Sequence, residues 1–414
     1  MLSYFYQYRI QINNFLYLSI VQLGNMILPL VVLPLLLNRL GVEKYGVIVF
    51  SQSVSSYFAV FIRFGFNTYA TQQVSYFRND NNKLSEIFAN VIFLELIFFI
   101  ISITFILCYF FFTGIISESR IYLYSLLATF LEILLPIWYF QGIERMKYIT
   151  LINLGAKIIS LICIFLFVKN DSDYLFVPIC YLIGSLTVFL ISIFILIRNK
   201  ILNFKLLTSK TLILYMRSSV VFVFSDVMAI LKDKTNIMLL GNFIGMHAVA
   251  YYDLAEKIVW AFRSVFANIN TAFFPYFSRN GQSKQVKHIL IGVLFLSLLS
   301  YIFILEFSDF IILLLSNPDM LVIKDFLWIM AMYVILASVS SSIGYFVLIA
   351  NGYNKSFFKN MMISLLSYFF ICIWIYCFSE ISIFTLVLAY NCSILIELLH
   401  RVYLCKKYRL LYWV

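Results

Sequence analysis

The chain has 414 residues, 63% of them hydrophobic and 12% charged, with a mean hydropathy of +0.96. Soluble domains carry about a quarter charged residues, so this composition excludes an ordinary soluble fold and points to an all-α integral membrane protein. The formal net charge of +11 is accounted for by membrane topology, as shown below, and no nucleic-acid partner is expected.

A spanning helix needs about 20 mainly apolar residues. Segments of that kind run in chain order over 13–37, 46–66, 87–112, 121–140, 148–168 and 174–197, then over 212–232, 236–277, 287–307, 326–350, 358–378 and 381–404. The stretch 236–277 is too long for one span. Its start reads as the end of a seventh helix followed by a tight turn, which gives twelve helices. The first segment contains Asn25 and continues past Pro29 and Pro34 without a small-residue cleavage pattern, so it is expected to be retained. Proline inside a span frees a carbonyl and bends the helix where protein or water can satisfy it.

On the second helix Gln52, Ser56, Ala59, Arg63 and Asn67 fall on one side at helical spacing, a narrow polar stripe expected to face inward. Arg63 has no acid three or four positions away. It therefore pairs with another helix or meets an anionic ligand. Glu95 lies in the third helix with no evident partner. Pro136, Trp138 and Tyr139 close the fourth helix in PIWYFQGIERM, at the level where amphipathic aromatics meet the membrane interface. Glu132 and Lys157 are placed to form a buried pair between helices four and five. Glu397 and Arg401 have i,i+4 spacing and read as an interfacial pair.

With the N-terminus in the cytoplasm, eighteen Lys and Arg fall on inside segments and six on outside loops. That bias obeys the positive-inside rule with both termini cytoplasmic. The basic segment 201–211 reads as a linker between an N-terminal six-helix lobe (1–200) and a C-terminal six-helix lobe (212–414). Shifting the chain by 204 residues places Gly41 on Gly245, Asn38 on Asn242 and Gln52 on Glu256, with Arg63 and Arg263 one turn apart on corresponding faces. An even helix count per half implies parallel repeats with a cavity between them.

The stretch 217–263 is apolar enough to cross a bilayer twice yet carries nine charges. A charge at the centre of a lipid-facing helix costs roughly 3 kcal/mol, so charges kept there face protein or water. Asp253 and Lys257 can neutralise each other at i,i+4. Arg263 is then a second candidate cation beside Arg63. Arginine suits phosphate because its planar fork donates two parallel hydrogen bonds and keeps its proton. The seven cysteines and three histidines lack ligand spacing, and no metal site or cofactor is expected.

LPLLLNRLGVEKYG near the start, P-x-W-Y-F-Q-G-x-E-R-M at 136–146 and G-x-F-x-G-x-x-A-V-x-Y-Y-x-x-A-x-K-I at 241–258 together resemble the O-antigen repeat-unit flippases. These form part of the polysaccharide-transporter branch of the multidrug/oligosaccharidyl-lipid/polysaccharide exporter superfamily. The resemblance implies two six-helix lobes in a V around a central cavity. It also implies movement of undecaprenyl-pyrophosphate-linked oligosaccharide to the outer face of the bacterial inner membrane. On that reading Arg63 and Arg263, with Gln52 and Glu256, form the substrate site. Asp226, Asp233 or Glu256 binds a coupling proton or Na⁺, and rocking of the lobes alternates access. Membrane lipids, a polysaccharide polymerase and a chain-length regulator are the implied partners. The chain departs from the resemblance at Asn236, where many relatives carry an acid nine positions before the turn glycine. The alternative is a cation-coupled small-molecule or multidrug antiporter of the same fold. The loops are too short to supply the catalytic domain of a glycosyltransferase, so the chain is not expected to be an enzyme.

Overall fold

The computed structural model describes residues 9–113, 119–198, 208–280 and 284–410. Helices account for the spans, and no strand occurs among the described residues. Arg9–Arg63 is one helical run interrupted at Gly41, which takes φ 75° and ψ 170°. We number its parts α1 (9–40) and α2 (42–63). Helical dihedrals continue through Pro29 and Pro34, so neither proline breaks α1.

The remaining helices of the first half are α3 (Phe66–Tyr76), α4 (Asn81–Thr113), α5 (Ser119–Ile133), α6 (Ile137–Gly142), α7 (Met146–Phe167) and α8 (Phe176–Arg198). The second half comprises α9 (Ser209–Phe243), α10 (Met246–Asn280), α11 (Lys284–Glu306), α12 (Ser308–Leu315), α13 (Lys324–Ile343), α14 (Asn354–Phe378) and α15 (Ile383–Lys407). Among the described residues, ten helical runs are long and apolar enough to cross a membrane. Splitting the first at Gly41 and adding the charge-bearing α10 brings the spans to the expected twelve. The turn between α9 and α10 falls at Gly245, φ 124°. Gly41 and Gly245, 204 residues apart, both adopt positive φ, where a Cβ would be strained.

The repeat recurs in packing. In the first half α2 and α4 pack on α5, while α5 and α7 pack on α8. In the second half α10 and α11 pack on α13, while α13 and α14 pack on α15, the same pairing of corresponding spans. The chain divides into two compact units, Met1–Lys234 and Thr235–Val414. The division falls inside α9, because Gly65 lies against the α9 backbone at Ser219 and Val223 and Tyr69 stacks edge-on to Tyr215 at 5.4 Å. Most of the segment 201–211 lies outside the described residues.

Trp138, Tyr139 and Phe140 are buried in protein. The α3 helix lies on α6 so closely that a Cβ on Gly142 would fall 2.5 Å from Val74, and Trp138 packs tilted on Phe88 at 5.7 Å. Tight helix crossing seals the aromatics inside, where the run of sequence alone suggested only amphipathicity. Arg39 caps the far end of α7, donating to the Phe165 carbonyl at 2.9 Å and to the Val168 carbonyl. Its positive charge also suits the negative end of that helix.

Candidate functional site

Arg63 is the last residue of α2. The next two residues leave the helix, Phe64 at φ 41° and Gly65 at φ 69°, before α3 starts at Phe66. A Cβ at Gly65 would sit 2.7 Å from the Ser219 carbonyl oxygen and 2.9 Å from the Val223 backbone nitrogen on α9. The break therefore requires glycine twice over, for dihedral and for space. Gly65→Ala combines the left-handed penalty of about 1–2 kcal/mol with overpacking of about 1–3 kcal/mol. It is expected to lower the melting temperature of the detergent-solubilised chain by several degrees; an unchanged melting temperature would show that α9 can move away at no cost.

The break also draws three aromatic rings onto α4. Phe61, Phe64 and Phe66 lie 5.0, 4.9 and 6.4 Å from the Phe98 ring. Glu95 is one turn before Phe98 on the same helix, only 1% exposed, and its Oε2 has no hydrogen-bond partner. The charge that acts on Glu95 is Arg63. Arg63 also acts on Asp226, which follows Val223 by less than a turn on α9. Three helices thus bring one guanidinium and two carboxyls together. Arg63 itself is half-buried and enters no hydrogen bond or ion pair among the described residues.

Gln52 lies three turns before Arg63 on α2 and is half-buried. Between them the Ser56 hydroxyl donates to the Gln52 carbonyl at 2.8 Å, so that serine is satisfied within its own helix. Asn67 does not continue the stripe, because Phe64 and Gly65 shift the helical register ahead of it. Elsewhere around α2, Ser51, Ser53 and Ser55 are buried, with Ser51 hydrogen-bonded to Ser125 of α5 at 3.1 Å.

In the second unit Asp253 is buried and paired with Lys257, as the i,i+4 spacing predicts. Glu256 and Arg263 are half-buried on the same helix, and the Arg263 guanidinium lies 4.9 Å from the centre of the Tyr333 ring. Tyr390 donates to the Tyr333 hydroxyl at 3.3 Å and its ring meets that of Tyr368 edge-on at 6.0 Å. Tyr368 donates to Asn236 Oδ1 at 2.6 Å, and Asn236 Nδ2 donates to the Tyr252 hydroxyl at 2.9 Å. Asn236 is fully buried, and both ends of its amide are used. The position where an acid stands in the resembled family here anchors a neutral network joining α9, α10 and α14. Asp233, one turn earlier, is exposed and is brought to neither cluster.

Two further polar groups are structural. Lys157 donates to Asn25 of α1 at 2.7 Å, and Glu132 acts on it through charge, so the expected pair is a three-residue cluster. Arg401 pairs with Glu397 at 2.8 Å, the arginine buried at 3% exposure and the glutamate half-buried. The charge of Arg63 therefore acts on Asp226 and on Glu95, which sequence reasoning left without a role, while Arg263 and Glu256 stay on α10. The only signal for Glu95 was an acid midway along a 33-residue apolar helix.

Residues 12–281 match the family described as polysaccharide biosynthesis protein. A relative from Escherichia coli (strain K12) described as "Putative O-antigen transporter" is 26% identical over 395 residues, covering 92% of this chain and 94% of that protein. A second of the same description, from Shigella dysenteriae, is 23% identical over 64% of this chain and 67% of its own length. Among solved structures, the lipid II flippase MurJ in an inward closed conformation superposes with a TM-score of 0.69 at 16% identity, over 96% of this chain and 87% of that one. An inward-facing multidrug resistance transporter of the MATE family gives 0.68 at 10% identity, over 92% and 98%. At those identities the two structures establish a shared fold.

Proposed function

Because the chain belongs to the polysaccharide biosynthesis protein family, we propose that it flips an undecaprenyl-pyrophosphate-linked oligosaccharide, such as an O-antigen repeat unit, from the cytoplasmic to the outer leaflet of the bacterial inner membrane. The chain is a multi-pass membrane transporter and not an enzyme. The observation that carries the reading is Arg63, a half-buried arginine shared by two carboxyls on neighbouring helices and held in no fixed ion pair among the described residues. A guanidinium held that way can exchange its carboxylate neighbours for the two phosphates of a pyrophosphate, which it binds through a bidentate fork.

Arg263 supplies the second cation, its face resting on Tyr333. Gln52 and Glu256 contribute polar contacts to the sugar-phosphate portion. Transport runs by ion-coupled alternating access with Asp226, Asp233 or Glu256 as the coupling carboxylates. The excess of inside Lys and Arg supports cytoplasmic termini. A polysaccharide polymerase and a chain-length regulator are the partners that would consume the flipped unit.

The relatives described as O-antigen transporters favour this reading over a small-molecule antiporter, which rests on fold alone. Complementation separates the two. A strain lacking its own O-antigen transporter, but making the matching repeat unit, is expected to regain surface glycan when given this chain. Drug resistance on overexpression with no glycan restored would overturn the flippase reading in favour of the antiporter.

A further inference from the structure

Helices α7 and α8 pack so closely near their middles that a Cβ on Gly184 would fall 2.6 Å from the Ala156 carbonyl oxygen. Toward the start of α7 and the end of α8 they leave a cavity of about 550 Å³. Leu151, Ile191 and Phe194 form its wall, with Arg145, Tyr148 and Arg198 nearest the two helix ends. From Leu151 to Phe167 every exposed residue of α7 is apolar, and so is every exposed residue of α8 before Arg198. Polar groups avoid hydrocarbon, so a face this uniform meets lipid. Leu151, Ile191 and Phe194 all belong to it, and the cavity therefore opens on the bilayer. Neither helix contains an acidic residue. Neither Arg145 nor Arg198 enters an ion pair or a side-chain hydrogen bond among the described residues. Glu144, next to Arg145 in the chain, is paired with Arg78 at 3.8 Å. The first turn of α7 carries no side-chain cap and no acid, although it is the positive end of the helix. Two guanidiniums and a positive helix end thus share one lipid-facing cavity whose lining holds no carboxylate.

We propose that this cavity holds an anionic glycerophospholipid of the surrounding leaflet, its phosphate between Arg145 and Arg198 and an acyl chain along Leu151, Ile191 and Phe194. The guanidinium fork matches phosphate oxygens, and the N-terminal turn of α7 adds backbone donors to the same end of the cavity. Tyr148, whose ring stacks on Phe140 at 5.4 Å, supplies the amphipathic side chain suited to the boundary between head group and chain. A free anion would use the arginines and leave the apolar wall idle. A zwitterionic lipid would use the wall but bring its ammonium to a site that already holds two cations. Only a lipid of net negative charge satisfies both ends of the cavity. Bound there, it bridges the ends of α7 and α8 where their own side chains leave a gap. Neither Arg63 nor Arg263 lines this cavity, so the proposal stands apart from the transport reading.

The test is native mass spectrometry of the purified full-length chain, delipidated in detergent and titrated with phosphatidylglycerol or phosphatidylethanolamine. The wild type is expected to bind phosphatidylglycerol more tightly. Arg145→Gln and Arg198→Gln are each expected to weaken its tightest binding about fivefold, the effect of one basic residue near an anionic lipid surface. Both side chains are exposed, so neither substitution disturbs the core. Ile191→Trp, which keeps both arginines but fills the cavity, is expected to weaken binding as well. Lys406→Gln combined with Lys407→Gln removes two exposed charges at the end of α15 and should leave binding unchanged. An equal loss in that lysine pair would mean that net charge alone attracts the lipid. Unaltered binding in Ile191→Trp, or displacement of the lipid by an equal concentration of inorganic phosphate, would reduce the cavity to an anion site. Tighter binding of undecaprenyl phosphate than of phosphatidylglycerol would give the cavity to a polyprenyl chain. Each of these three results would overturn the proposal.

Discussion

Arg63→Gln is expected to reduce surface glycan to background in a strain that depends on this chain, while the protein accumulates at its normal level. Truncating one side of a buried charged contact costs about 2–5 kcal/mol, roughly a 30- to 5,000-fold loss in affinity. The loss falls on anion binding because glutamine keeps the length and polarity of the side chain but neither its charge nor its fork. Glu95 and Asp226 also lose their common cation, so the thermal stability of the variant must be measured beside its glycan. Arg63→Lys provides the graded control: the charge remains, the bidentate geometry goes, and intermediate glycan is expected. Near-normal glycan in Arg63→Gln would remove Arg63 from the substrate site.

The largest effect on stability is expected at Arg401. Its Nε donates to Asn360 Oδ1 at 2.7 Å, one terminal nitrogen meets Glu397 Oε1 at 2.8 Å, and the other donates to the Ser340 carbonyl. The guanidinium also lies 4.8 Å from the centre of the Phe357 ring. It thereby ties α15 to α13 and α14 beside the π-helical turn Gly344–Ile349, where a Cβ on Gly344 would fall 2.8 Å from the same guanidinium. Breaking a buried pair by removing one partner costs about 3–5 kcal/mol, because the remaining charge is left enclosed. Arg401→Met is accordingly expected to lower the melting temperature sharply in detergent. Adding Glu397→Gln to it should recover part of the loss by removing the orphaned carboxylate. An unchanged melting temperature in Arg401→Met would mean that water reaches Glu397 and the pair is not enclosed.

Local features were legible in the sequence. Asp253 and Lys257 pair as their spacing requires, because i,i+4 contacts lie within one helix and depend on nothing else. The turn glycines Gly41 and Gly245 were visible through the 204-residue repeat, and both adopt the positive φ that only glycine takes cheaply. Partners across helices were not legible. Lys157 meets Asn25 as well as the charge of Glu132, and Trp138 and Tyr139 lie inside the protein although their chemistry would equally suit an interface. The polar stripe on α2 read smoothly through Asn67, yet the helix breaks at Phe64 and Gly65. That break is set by the close approach of α9, which no local pattern announces.

The class of molecule, the twelve spans and the repeat that relates the two halves can all be read along the chain. Each follows from hydropathy and periodicity, which are properties of short windows of chain. Which charges act on one another depends on the packing of the helices. Arg63 was recognisable as a cation out of place in a greasy helix, but its neighbours Glu95 and Asp226 lie 32 and 163 residues further on. Long-range pairing depends on how helices pack, and packing is fixed by features such as Gly65 against α9 and three phenylalanines around Phe98. Steric fit of that kind leaves no period in the sequence, so the partners of Arg63 became visible only once the helices were assembled.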